Sequence, residues 1–114
     1  MQNHNHQELI QTILDCALAC EACATACLQE EDVKMMAACI AFDRDCADIC
    51  TQAARLLQRD SKIAHQYLLL CEEICRMCGE ECAKHKAEHC RKCAEACHTC
   101  AKACHAHHEP ITQS

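Results

Sequence analysis

What is missing narrows this chain before any motif does. Its 114 residues include one glycine and one proline, Gly79 and Pro110, so the two strongest backbone breakers are almost missing. A loop-rich scaffold or a many-cornered sheet needs those residues at its turns. Strand-type runs are scarce as well, which leaves helix as the expected state. Aromatic side chains are nearly absent: no tryptophan, one tyrosine and one phenylalanine. Without stacking platforms, and with a formal net charge of −6, the chain is a poor match for nucleic acid. The longest purely apolar runs are short, such as Tyr67 to Cys71, which predicts no membrane-spanning segment. Met1 to Gln7 is polar and His-bearing, without a basic region leading into an apolar run and a cleavage site, so a cytosolic protein is expected.

What the chain has in excess is cysteine, 16 in all. In a short secreted protein that number suggests a disulfide framework; in a reducing compartment it points to metal. Spacing supplies the next step. Cys90, Cys93, Cys97, Cys100 and Cys104 alternate steps of three and four, as do Cys16, Cys20, Cys23, Cys27 and Cys71, Cys75, Cys78, Cys82, while Cys39, Cys46, Cys50 give a sparser form. Residues three and four apart stand above one another on a helix, so each group paves one helical face with thiols.

The expected architecture is all-α: a single domain over 1–114, with helices at about 7–28, 33–58, 61–83 and 87–107 and a mobile tail at 108–114. Asp32 is the expected N-cap of the second helix, and Arg59-Asp60-Ser61 the second turn. Four helices of this length joined by short turns predict an antiparallel up-down-up-down four-helix bundle with a cysteine-lined core. In that arrangement Leu9, Ile13, Leu57, Ala64 and Leu68 gather at one end as a hydrocarbon plug. The other end collects Cys27, Met35, Met36, Cys82, His85, His89 and Cys90.

Several chemistries could use such a core. Free thiols pack as small hydrophobes, which explains a fold independent of metal but not why ordinary Leu and Ile are displaced on four stripes. Zinc would take four thiolates per ion; four Zn²⁺ against 16 thiolates leave eight negative charges in a core with no cation on its stripes. One univalent ion per thiolate leaves none, and soft thiolates select Cu(I) in two- or three-sulfur coordination. Iron–sulfur runs need a different spacing with a following proline, and no strand precedes any C-x-x-C as a thioredoxin-like site requires. Zinc–thiolate storage and a thiol redox switch stand as the alternatives.

Beside the thiols, Met35, Met36, His85 and His89 are candidate weak ligands that pass Cu(I) inward. Asp43 interrupts the second stripe; it is expected to be hydrogen-bonded or peripheral, or to rotate outward with Phe42 in its place. His98 is read as solvated. Leu70, Ile74 and Met77, with Leu14 and Leu18, form stripes outside the thiol face that predict a homo-oligomer.

In DCALACEACATAC (15–27), CIAFDRDCADIC (39–50) and CGEECAKHKAEHCRKCAEACHTCAKAC (78–104), the chain resembles the cytosolic branch of the bacterial copper storage proteins. The resemblance implies a homotetramer, Cu(I) held by the stripe thiolates, and a His-bearing mouth at His85 and His89. It also implies exchange with copper donor and acceptor proteins or small thiols. Leu9 and Ile13 depart from the pattern, standing where members can carry further cysteines.

Overall fold

The structure, a computed structural model, describes the backbone of residues 2–113 and the side chains of residues 6–107. It contains α1 (Gln2–Cys27), a 3₁₀ turn (Val33–Met36), α2 (Ala37–Gln58), α3 (Ala64–Ala83) and α4 (Glu88–Gln113), with no strand among the described residues. The thiol pairs give the topology. Cys16 on α1 faces Cys46 on α2, and further along α1 Cys23 faces Cys39, so α2 runs back along α1. Cys46 meets Cys75 and Cys39 meets Cys82, which reverses α3 against α2. Cys16 meets Cys97 and Cys23 meets Cys90, which sets α4 against α1 and closes the ring. The antiparallel bundle expected from the stripes is the fold observed.

Helix ends differ from the expected ones for local reasons. α1 starts at Gln2, ahead of Gln7, because a polar N-terminus without Gly or Pro has nothing to stop a helix. Asp32 is a cap, its carboxylate accepting the Met35 N–H at 3.4 Å, but it caps the 3₁₀ turn, and α2 proper begins only at Ala37. α2 ends in a Schellman arrangement: Ser61 N–H donates to the Leu56 carbonyl and Asp60 N–H to that of Leu57, with Asp60 left-handed at φ 54°. Ser61 Oγ then accepts the Ile63 N–H, so residues 61–63 belong to the turn, and α3 starts at Ala64. α4 is set out to Gln113, past His107, and the side chains of the expected tail at 108–114 lie outside the described residues.

The plug is hydrocarbon. Ile13 and Leu68 are fully buried, and Leu9, Ile10, Leu56, Leu57 and Ala64 are buried around them. Elsewhere the interior is mostly cysteine and alanine, with Met36, Ile74 and Asp43 the other buried side chains among the described residues. Gly79 permits a close approach of α3 to α4: a Cβ there would stand 2.8 Å from the exposed His98 ring and 3.3 Å from Cys97 Cβ. One expectation needs correcting. His6–Cys27 in α1 is long and apolar enough, by length and composition, to cross a membrane. Run length missed this because polar residues such as Gln11, Asp15 and Glu21 interrupt the apolar residues without lowering the average of the whole helix below that of a membrane span. In the bundle its apolar stripe, Ile13 with Cys16, Cys20, Cys23 and Cys27, is buried against the other three helices.

Candidate metal centre

Every one of the 16 cysteines is buried, none more than 1% exposed, and none is in a disulfide. Helical spacing puts each on its interior face, and the antiparallel ring turns those faces toward one axis. The result is a column of sulfur. From the plug outward, Cys50, Cys71, Cys75 and Cys100 form one group; Cys16, Cys46, Cys50 and Cys75 the next; then Cys16, Cys20, Cys46, Cys97; then Cys20, Cys78, Cys93, Cys97. At the far end stand Cys23, Cys27, Cys39 and Cys90. In each group the sulfurs lie within 4.8 Å of one another. Cys104 lies beside Cys71 and Cys100 at the plug end, and Cys82 joins the far end through Cys39 at 3.3 Å.

The first four groups share members with their neighbours: Cys16, Cys20, Cys46, Cys50, Cys75 and Cys97 each belong to at least two. Neighbouring sulfurs such as Cys16 and Cys46, Cys20 and Cys97, or Cys50 and Cys75 stand 4.0, 3.7 and 3.6 Å apart. Three sulfurs at a metal–sulfur length of about 2.3 Å lie about 4 Å apart, and four in a tetrahedron about 3.8 Å apart. Spacing therefore admits both coordination numbers, and charge separates them. One univalent ion per thiolate fills the column without residual charge, whereas one divalent ion per four thiolates leaves two negative charges on each site.

Asp43 sits in this column, fully buried. Its Oδ1 accepts S–H bonds from Cys78 and Cys93 at 3.2 Å and from Cys82 at 3.4 Å, and its Oδ2 one from Cys39 at 3.8 Å. The outward rotation weighed for it does not occur, and Phe42 stays partly buried beside the core. Burial pushes the Asp43 carboxyl up to about 8, because the charged form loses its water, against the opposing pull of S–H donors. Burial likewise raises Cys27, and Cys90 to about 11, while Cys39 is drawn down by S–H bonds from Cys23 and Cys82.

The far end carries the imidazoles. His89 turns Nδ1 toward Cys90, Cys23 and Cys27 at 3.6, 3.7 and 4.0 Å. Its Nε2–H donates to Glu30 at 2.8 Å, which fixes the ring with the other nitrogen toward sulfur. His85, also at this end, bonds Glu81 at 3.0 Å. Met36 is buried in the core, whereas Met35 is 68% exposed. The sequence marked His89, but not its orienting partner: Glu30 lies in a polar run that carried no periodic signal.

The family profile described as copper storage protein matches residues 2–109. The chain belongs to the copper storage protein family. Among solved structures it is similar to the Cu(I)-bound copper storage protein BsCsp3, 42% identical with a TM-score of 0.86 over 90% of this chain and 96% of that one. It is similar also to a cytosolic copper storage protein from Streptomyces lividans loaded with five coppers: 43% identity, TM-score 0.87, 90% of this chain and 91% of that one. The uncharacterized cysteine-rich protein YhjQ of Bacillus subtilis (strain 168) is 44% identical over 66 residues, 58% of this chain and 61% of that protein. Family membership accounts for a stripe of thiols where a bundle would otherwise place Leu.

Proposed function

We propose that this chain stores Cu(I) in the cytosol, on the 16 thiolates Cys16, Cys20, Cys23, Cys27, Cys39, Cys46, Cys50, Cys71, Cys75, Cys78, Cys82, Cys90, Cys93, Cys97, Cys100 and Cys104. The observation that carries this reading is the sharing of thiols between consecutive groups. Discrete zinc cages would each own four sulfurs; a chain of bridged univalent ions uses the overlap. The family matched is one of storage, and no catalytic role is proposed for the column. Anaerobic titration of the reduced protein with Cu(I) against a competing chelator should run to roughly one ion per thiol. A plateau near four ions, with Zn²⁺ preferred, would make it a zinc protein.

Copper passes through the end that holds His89, His85, Met35 and Met36. The support is geometric: His89 joins exposed surface to the first sulfurs, whereas hydrocarbon covers the opposite end. Replacing His85 and His89 by Ala, with Met35 and Met36 by Leu, should slow loading and unloading while leaving capacity almost unchanged. Stopped-flow transfer from a Cu(I) chelator measures both; unaltered rates would remove the assignment. The copper arrives from and leaves to donor and acceptor proteins or small thiols, by ligand exchange at that mouth.

A homo-oligomer, a tetramer by resemblance, fits the exterior. Leu18, Leu69, Leu70 and Met77 remain 39–68% exposed, whereas Ile74 of the expected stripe is already buried within the chain. Light scattering on the metal-free protein gives the state directly.

A further inference from the structure

The plugged end carries a second set of ligands that the copper column does not use. His6 on α1, His65 in the first turn of α3 and His107 near the end of α4 come together there. The ring centroids of His6 and His107 are 5.6 Å apart at 50° to one another, and those of His65 and His107 are 6.3 Å apart at 45°. Tilted rings at this distance are not a stacked pair. With a metal–nitrogen length of about 2.0–2.1 Å, two imidazoles on one tetrahedral ion place their centroids roughly 5–6 Å apart; His6 and His107 stand within that range and His65 and His107 just beyond it.

The positions are not scattered. His107 stands three residues beyond Cys104, the next step of the α4 stripe, and His6 stands three before Leu9, the step that precedes the α1 plug. Two of the four stripes therefore pass from sulfur or hydrocarbon to imidazole at the same end. Leu9, Ile13, Leu57 and Leu68 occupy the stripe positions between this trio and the thiols. The trio is part-buried, which desolvates the ligands without closing the path to solvent.

We propose that His6, His65 and His107 form a three-imidazole site for one divalent borderline cation, separate from the Cu(I) column. Three neutral nitrogens suit Zn²⁺ and its neighbours, whereas Cu(I) is drawn to the thiolates. A bound ion would clip the start of α1, the start of α3 and the end of α4 across the plug. This site does not depend on the storage reading, because its ligands are not thiols.

The test uses the full chain already loaded with Cu(I), so that the thiols are taken, and Zn²⁺ as the added ion under anaerobic equilibrium dialysis. The wild type should hold one Zn²⁺ per chain, and histidine signals in NMR spectra should shift at His6, His65 and His107 but not at His98. Each of H6A, H65A and H107A should weaken binding at least about tenfold, and the triple variant should lose the ion while keeping its Cu(I) capacity and helical circular dichroism. If the triple variant binds Zn²⁺ as the wild type does, or if H4A and H108A remove it instead, the assignment is overturned. Should the triple variant lose helix, the NMR shifts of the wild type and the dialysis of H65Q decide. Unshifted His65 and His107 signals reject the site.

Discussion

In the metal-free, reduced protein, Ile13→Ala together with Leu68→Ala should remove most of the folding stability, and Cu(I) should restore the helical state. Large-to-small changes at fully buried aliphatic positions cost about 2–5 kcal/mol each. A domain of this size has on the order of 5–15 kcal/mol in total. The cost is concentrated here because the remaining interior is short side chains. Among the described residues Ile13 and Leu68 are the largest fully buried side chains, and the column beyond them is mostly thiol and alanine, which bury less apolar area per residue. The two sites lie in one plug, so their effects need not add. Ions that bind only the folded column then stabilise it by mass action, and occupancy of many sites outweighs the loss. Urea unfolding followed by circular dichroism, with a reductant and then with Cu(I), measures both halves. Single substitutions costing under about 1 kcal/mol would mean that the protonated thiols themselves hold the bundle together.

That prediction turns on a division the sequence displays openly. Steps of three and four place thiols on one face whatever else the chain does, and short turns force neighbouring helices to run antiparallel. The column, the plug and the four-helix ring were therefore legible from spacing alone. What was not legible depends on contacts between elements. The 3₁₀ start before α2 follows from Asp32 capping Met35 rather than a full helical turn. The direction of Asp43 depends on two other helices, α3 and α4, supplying S–H donors to one carboxylate, and a helical wheel sees only its own helix. Glu30 reaches His89 from another element, and His6, His65 and His107 meet only once the ends of α1, α3 and α4 are assembled. The membrane-length apolarity of α1 is the same lesson reversed, since composition alone does not say that the stripe is buried against partners.

Asp43 gives the second large effect: the stability of the metal-free protein should fall as pH rises from about 4 to about 8, and Asp43→Asn should abolish most of that fall. Burial raises this carboxyl from its ordinary 3.8 to about 8. Between those values the folded chain keeps a proton that the unfolded chain has released, so stability is fully present below the unfolded value and is lost as pH climbs through the folded one. A shift of this size corresponds to on the order of 5 kcal/mol across the window. Asn has nearly the same shape, carries no charge at any pH, and offers an amide hydrogen to the sulfurs in place of the acid proton. The variant and wild type should therefore be similar in stability near pH 4, and the variant more stable near pH 8. Thiols released on unfolding ionise alike in both chains, so their contribution cancels in the difference. Urea midpoints at pH 4.5 and pH 8 under reductant supply the comparison; parallel pH curves for the two proteins would show that Asp43 stays ionised among its S–H donors and that the hydrogen bonds from Cys78, Cys82 and Cys93 outweigh the loss of water.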